Sequence, residues 1–205
     1  MQSTITALIE SRASINHFDP ERKLADTQIK ELVRLATLAP SAYNFQNWKF
    51  IAVRSQPAKE RLKAVAYNQP KVAEAAVMFI VCGTLAAHEG LPRALQPSVE
   101  VGILAQSVAD GWVAMASGAH QDNPQMQRDE ALRSASLAAM TLMLAAQGMG
   151  LATCPMVGFD AEGVAREFNL SSNDVPVMLV AAGYAAPDNW PQKRRKPLQE
   201  VLELL

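Results

Sequence analysis

The stretch best equipped for chemistry is Ala39-Pro40-Ser41-Ala42-Tyr43-Asn44-Phe45-Gln46-Asn47-Trp48. Ser41, Asn44, Gln46 and Asn47 supply a hydroxyl and three carboxamides. Such groups both donate and accept, so they can meet a flat polar ring edge. Pro40 cannot continue the helical pattern before it, so the chain must leave the helix there. The same composition suits an ordinary loop between a helix and a strand. Taken by itself the stretch leaves both readings open.

Other chemistries find no footing. No acid–base pair, Ser-His-Asp order or activated cysteine is visible. Cys82 and Cys154 lie far apart and in no metal spacing, and they read as reduced, mostly buried thiols of a cytoplasmic protein. Cys154 precedes Pro155 in an apolar context, which suits a core thiol better than a nucleophile. His17, His88 and His120 are scattered without paired-ligand spacing, so no metal site is expected. Gln147-Gly148-Met149-Gly150 is not a G-x-G-x-x-G following a strand, so a Rossmann nucleotide domain is not indicated. A net charge of −1 gives no nucleic-acid footprint. No apolar run reaches the length of a membrane span, and Met1 to Glu10 lacks the features of a signal peptide.

The elements that must position these groups are partly legible. With 205 residues, 49% of them apolar, the chain fits one domain over 1–205, or one protomer of an obligate oligomer. Thr4 to Glu10 reads as a short helix. Asp26 or Thr27 can cap a helix with Ile29, Leu32, Val33 and Ala36 on one face. Phe50 to Val53 is a strand, and Ala58 to Ala66 is helical. Val77 to Cys82 is a continuous apolar run, expected to be a strand buried on both faces. Leu85 to Gln125 is punctuated by Pro92, Pro97 and Pro124, with a helix expected over Val101 to Met115 and a loop over Gln121 to Pro124. Asp129 to Gln147 is the strongest helix. It is apolar nearly all round and rich in alanine, which suits either a central helix or close packing against a partner subunit. Asp160 can cap a short helix from Ala161 to Phe168, and Val175 to Ala182 is a strand with Pro176 at its start. Pro187 to Pro197 is a polar, basic tail. Strands interleaved with helices place the chain among mixed α/β or α+β proteins.

The Pro40 stretch resembles the A-P-S-x-x-N-x-Q-x-W signature of the nitroreductase family, flavoenzymes that carry FMN. Three further segments resemble that family in order and at suitable spacing. Arg12-Ala13-Ser14-Ile15-Asn16-His17-Phe18 is similar to R-x-S-x-[RK]-x-F. Cys154-Pro155-Met156-Val157-Gly158-Phe159-Asp160 is similar to P-x-x-G-F-D. Lys193-Arg194-Arg195-Lys196-Pro197-Leu198 is similar to its basic tail. Together they span nearly the whole chain.

The resemblance implies an α+β fold, with a central mixed β-sheet wrapped by helices, in an intertwined homodimer that holds two FMN molecules at its interface. Arg12 and Arg195 would take the phosphate, since a guanidinium offers a bidentate fork, with Ser14 and Lys193 beside them. Pro40, Ser41 and Ala42, with Asn44 and Gln46, match the segment that approaches the ring from the neighbouring subunit. Asn68 and Lys71 fall where the family places an amide and a lysine near the flavin. Pro155, Val157 and Gly158 match the segment passing the ring near N5, where a residue without Cβ lets the backbone come close. Trp112 is a candidate for the pocket wall, although a core role suits it better. The sequence departs from the pattern at Ala13, where a basic or polar residue is common, and at Asn16, where Lys or Arg is common. Val157 replaces an acid found in some members.

The activity implied is two-electron reduction of a nitroaromatic or quinone by NADH or NADPH through FMN, with donor and acceptor using one face in turn. No protein side chain is expected to be catalytic, because the flavin carries the chemistry. Alternatives are a different acceptor on the same fold, such as an enone or a halogenated phenol, and a flavin-binding sensor or store with little turnover.

Overall fold

The computed structural model describes residues 4–205. Eight helices and four strands alternate along the described chain. They are α1 (Thr4–Ser11), α2 (Asp26–Ala36), β1 (Trp48–Val53), α3 (Gln56–Ala64), α4 (Lys71–Glu74), β2 (Val77–Thr84), α5 (Ala87–Glu100), α6 (Gln106–His120), α7 (Pro124–Gly148), β3 (Ala152–Met156), α8 (Ala161–Glu167) and β4 (Asp174–Gly183), with short 3-10 turns at Ala42–Asn44 and Leu198–Glu200.

The strands form one sheet in the order β1-β2-β4-β3. Each neighbouring pair runs antiparallel. The mixture expected for the sheet is therefore confined to its β3 edge, where Ser14 makes an isolated parallel bridge to Thr153. β2 is buried on both faces, as its continuous apolar run requires. Val77, Phe79 and Val81 face α2 and α7 through Leu32, Ala135, Ala139 and Leu142. Met78, Ile80 and Cys82 face the opposite layer of Leu62, Val72 and Val164, from α3, α4 and α8. The alternation follows from the two-residue period of a strand. Phe79 is fully buried. Its truncation to Ala is expected to cost about 3–5 kcal/mol.

The alanines of α7 serve the protomer's own core. Ala131, Ala135, Ala138, Ala139 and Ala146 are buried. Gly83 of β2 lies so close that an added Cβ would stand 2.2 Å from the Ala131 carbonyl oxygen. The helix is not buried all round, however. Leu137 and Met140 are 46% and 38% exposed on a stripe turned away from the sheet.

Several boundaries differ from the sequence reading for identifiable reasons. Ala25, rather than Asp26 or Thr27, occupies the cap of α2. Gln28 Oε1 accepts from the Ala25 N–H at 3.0 Å, while Asp26 pairs with Arg54. α7 begins five residues before Asp129, because Asn123 Oδ1 accepts from the Met126 N–H at 3.1 Å and Pro124 fits the first turn. Pro92 and Pro97 lie inside α5 instead of breaking it. The helix expected over Val101 to Met115 begins only at Gln106, because α5 ends at Glu100 and the chain turns at Gly102 with φ 75°. Asp160 occupies the cap position of α8, but its carboxylate makes no capping bond and lies 3.7 Å from Arg166. β3 carries Pro155 and was not legible as a strand. Its place at the sheet edge is what tolerates the proline.

Candidate cofactor site

The Pro40–Gln46 loop is held from below and leaves its amides outward. Tyr43, Asn44 and Gln46 have φ of 51°, 59° and 51°, the left-handed region that non-glycine residues seldom occupy. Two anchors hold them there. Ser41 Oγ accepts from the Gln46 N–H at 2.9 Å. The Phe45 side chain is buried with Leu91, Leu95, Ala109 and Ala116 of α5 and α6, edge-on to His120. Asn44, Gln46 and Pro40 are exposed, and Ser41 and Ala42 are half-buried. Asn47 is different in kind. It is buried, and its Nδ2 donates to the Thr84 carbonyl at 3.3 Å, tying the loop to β2. Trp112 packs edge-on against Tyr43, within the same apolar cluster.

The Arg12–Phe18 segment lies along the outer edge of β3. Ser14 bridges Thr153, and the Ile15 N–H donates to the Thr153 carbonyl at 3.0 Å. The C-terminal tail grips the segment from the other side. Asn189 Oδ1 accepts from the N–H groups of Asn16 at 2.7 Å and His17 at 3.0 Å, while its Nδ2 donates to the His17 and Ala186 carbonyls. Gln192 Nε2 donates to the Arg12 carbonyl at 3.0 Å. Arg12 Nη1 is buried and has no hydrogen-bond partner. An unpaired buried guanidinium nitrogen is costly and calls for an acceptor. Ala13 lines a shallow cavity with Ser11, Ile15 and Gln147.

Lys71, at the start of α4, converges on this segment. Its Nζ donates to Asn16 Oδ1 at 2.8 Å and stands 3.7 Å from Cys154 Sγ. Cys154 precedes Pro155 on β3, so Arg12, Ser14, Asn16, Lys71 and Pro155 share one corner of the molecule. Gly158 and Asn68 join it through Gln69, whose Nε2 donates to the Gly158 carbonyl at 2.8 Å. Tyr67 and Asn68 are both left-handed, and Asn68 and Val157 are exposed. An added Cβ at Gly158 would meet Gln69 Nε2 at 3.4 Å, an ordinary contact, so the chain's own packing does not demand glycine there.

Two predicted groups stand apart within the chain. Lys193 lies 4.8 Å from the Trp190 ring centroid and Arg195 Nη1 donates to the Lys193 carbonyl, both in the exposed tail. Among the described residues no hydrogen bond joins the Pro40–Gln46 loop to the Arg12–Asn16 segment. Sequence reasoning missed Gln69, Asn189 and Gln192. Gln69 adjoins Asn68, which the resemblance names, whereas Asn189 and Gln192 carry no signal beyond being amides in a polar tail.

Comparison with known proteins shows the family. The family model described as "Nitroreductase family" matches residues 9–184. The chain is 35% identical over 201 residues to a Bacillus subtilis protein named "Putative NAD(P)H nitroreductase YodC", covering 98% of each. It superposes with a TM-score of 0.91 on the crystal structure of "a putative nitroreductase in complex with FMN" from Exiguobacterium sibiricum, at 28% identity and covering 100% and 99% of the two chains. A more distant relative, 26% identical over 182 residues and covering 87% of this chain and 84% of its own, is named "CLA biosynthesis enone reductase" of Lactiplantibacillus plantarum. The chain belongs to the nitroreductase family.

Proposed function

We propose that the chain is an FMN-dependent oxidoreductase that takes reducing equivalents from NADH or NADPH and passes two electrons to a nitroaromatic or quinone-type acceptor. The observation that carries this reading is the buried, unpartnered Arg12 Nη1 at the same corner as Ser14, Asn16 and Lys71. A guanidinium lacking an acceptor and a hydroxyl suit a phosphate. An ammonium beside a carboxamide suits the polar edge of a reducible ring. Arg12 and Ser14, with Lys193 and Arg195 of the tail, would hold the phosphate. Asn16, Lys71 and Asn68 would meet the ring edge, while Pro155, Val157 and Gly158 would run along the ring. Bound FMN would supply the two-electron redox chemistry between nicotinamide and acceptor, while these residues hold and orient it. The relative crystallised with FMN and the relatives named NAD(P)H nitroreductases support this assignment.

A homodimer would complete the site. Pro40, Ser41, Ala42, Asn44 and Gln46 would then serve the partner's flavin, which accounts for their separation from Arg12 in the chain. The exposed Leu137 and Met140 of α7, and the exposed Leu198, Val201, Leu202 and Leu204 of the tail, are apolar surface suited to such an interface. No helix among the described residues is long and apolar enough to cross a membrane. With both cysteines free, a reducing cytoplasm suits the protein.

The protein is expected to purify yellow and to release FMN, not FAD, on denaturation. A colourless protein that fails to bind added FMN would refute the reading. The relative named as an enone reductase favours a second reading with an enone acceptor. Turnover of a nitroaromatic, a quinone and an enone under one donor separates these, and negligible turnover with all three would favour a flavin sensor or store.

A further inference from the structure

We infer that Lys59 is a positioning residue for Lys71, holding the single helical turn on which the Lys71 ammonium is mounted. Lys59 is only 1% exposed, and it enters no salt bridge among the described residues. Its Nζ instead donates to two backbone carbonyls, Ala73 at 2.6 Å and Ala75 at 2.8 Å. Both lie at the end of α4. The Ala75 N–H in turn donates to the Lys71 carbonyl at 3.0 Å. Two consecutive hydrogen bonds therefore link the buried ammonium to the backbone of Lys71.

The need for such a link follows from the length of α4. Four residues make one turn, which has no stability of its own. Its last carbonyls have no partner within the helix. Val72 and Ala75 are fully buried and fix the depth of the turn. Apolar contacts are non-directional, however, and leave rotation about the helix axis weakly determined. Hydrogen bonds to two named carbonyls fix that rotation, and with it the direction in which Lys71 leaves the backbone. A methionine would fill the same space without desolvating a charge. Burial pushes the Lys59 pKa down, repulsion from Lys23 adds to this and attraction to Glu60 opposes it, so the buried amine comes at a cost a methionine would not carry. Its donors are what the apolar alternative lacks.

This inference rests on the proposed place of Lys71 beside FMN. The test is a redox titration of bound FMN, with thermal melting, in the wild type and in Lys59→Met, Lys71→Met, the double variant and Leu62→Ala. Leu62 is fully buried on the same helix as Lys59 and serves as the control for lost packing. Lys59→Met is expected to lower the midpoint potential in the direction of Lys71→Met. A tenfold change in the reduced-to-oxidised ratio corresponds to about 30 mV. The double variant should move no further than Lys71→Met, as expected for two residues acting through one contact. Leu62→Ala should melt earlier at an unchanged potential. Should Lys59→Met fail to fold, Lys59→Gln keeps one donor group and should give a smaller shift of the same sign. If Lys71→Met moves the potential while the folded Lys59 variant melts earlier at the wild-type potential, this inference falls and the flavin site stands. A wild type without FMN overturns both, and an unmoved potential in Lys71→Met overturns this inference together with the place given to Lys71 at the ring edge.

Discussion

Lys71 Nζ donates to Asn16 Oδ1 at 2.8 Å, so a cation from α4 is delivered to the position where the sequence has a neutral amide. Reduction of a flavin places negative charge at the pyrimidine edge, and a nearby ammonium favours the reduced form. Lys71→Ala should therefore lower the midpoint potential of bound FMN. A unit charge at about 4 Å contributes roughly 4 kcal/mol at an effective dielectric of 20. For a two-electron couple this sets an upper limit on the order of 90 mV. Solvent screening brings the expected shift to tens of millivolts. Asn16→Lys should raise the potential by less, because it replaces the acceptor of Lys71 with a like charge. An unchanged potential in both variants, with FMN still bound, would mean that this pair does not face the ring.

Arg12→Ala should weaken FMN binding about ten- to a hundredfold, the loss of one charge-assisted hydrogen bond of roughly 1.5–3 kcal/mol. Arg195→Ala should also weaken binding if the tail closes over the phosphate. Fluorescence titration of the apoprotein measures both. Wild-type affinity in Arg12→Ala would leave its buried Nη1 without a role.

Light scattering should give about twice the 22.2 kDa of one chain. Leu137→Glu with Met140→Glu places two charges on the exposed stripe of α7 and should yield a monomer that has also lost its flavin. A wild-type monomer that binds FMN would refute the shared site.

Neither cysteine should be needed for turnover. Cys82 is fully buried, and burial is the main cause that pushes its thiol up to about 12. It should resist alkylation at pH 8 in the native protein and react only on unfolding. Cys154→Ser should keep most of the activity, with some loss of stability from a hydroxyl in a buried position. Inactivity with FMN content and fold intact would reveal a thiol role.

Asp174 should make stability depend on acid. Burial raises its pKa, but the hydrogen bond from Lys49 and those from the Ser171 hydroxyl and N–H outweigh burial and hold it below the ordinary 3.8. A carboxylate whose folded pKa is depressed contributes stability that is complete above its unfolded value. That contribution is lost as pH falls through the lower folded value. Asp174→Asn should cost about 1–3 kcal/mol at neutral pH and flatten the melting profile below about pH 4. An equally steep profile in the variant would assign the acid sensitivity elsewhere.

What the sequence made legible was whatever local periodicity or motif spacing encodes. β2 could be read because six consecutive apolar residues cannot be exposed on either face. Arg12, Ser14, Asn16 and Lys71 could be named from motif resemblance, and they do converge. What stayed hidden depends on contacts distant in the chain. β3 looks like a proline-containing loop until its edge position is known. The buried face of α7 and its exposed stripe both carry leucine and methionine, so composition cannot tell them apart. Lys59 reads as a solvated charge on a helix until the carbonyls of Ala73 and Ala75 are found above it. Asn189 and Gln192 reach partners 173 and 180 residues away, beyond any local pattern.

That last separation orders events during biosynthesis. Arg12 to His17 are synthesised 172 to 180 residues before the amides that hold them. The nascent chain can fold its helices and much of its sheet while this corner remains unlatched. A chain cut short before Asn189 would be released without the latch.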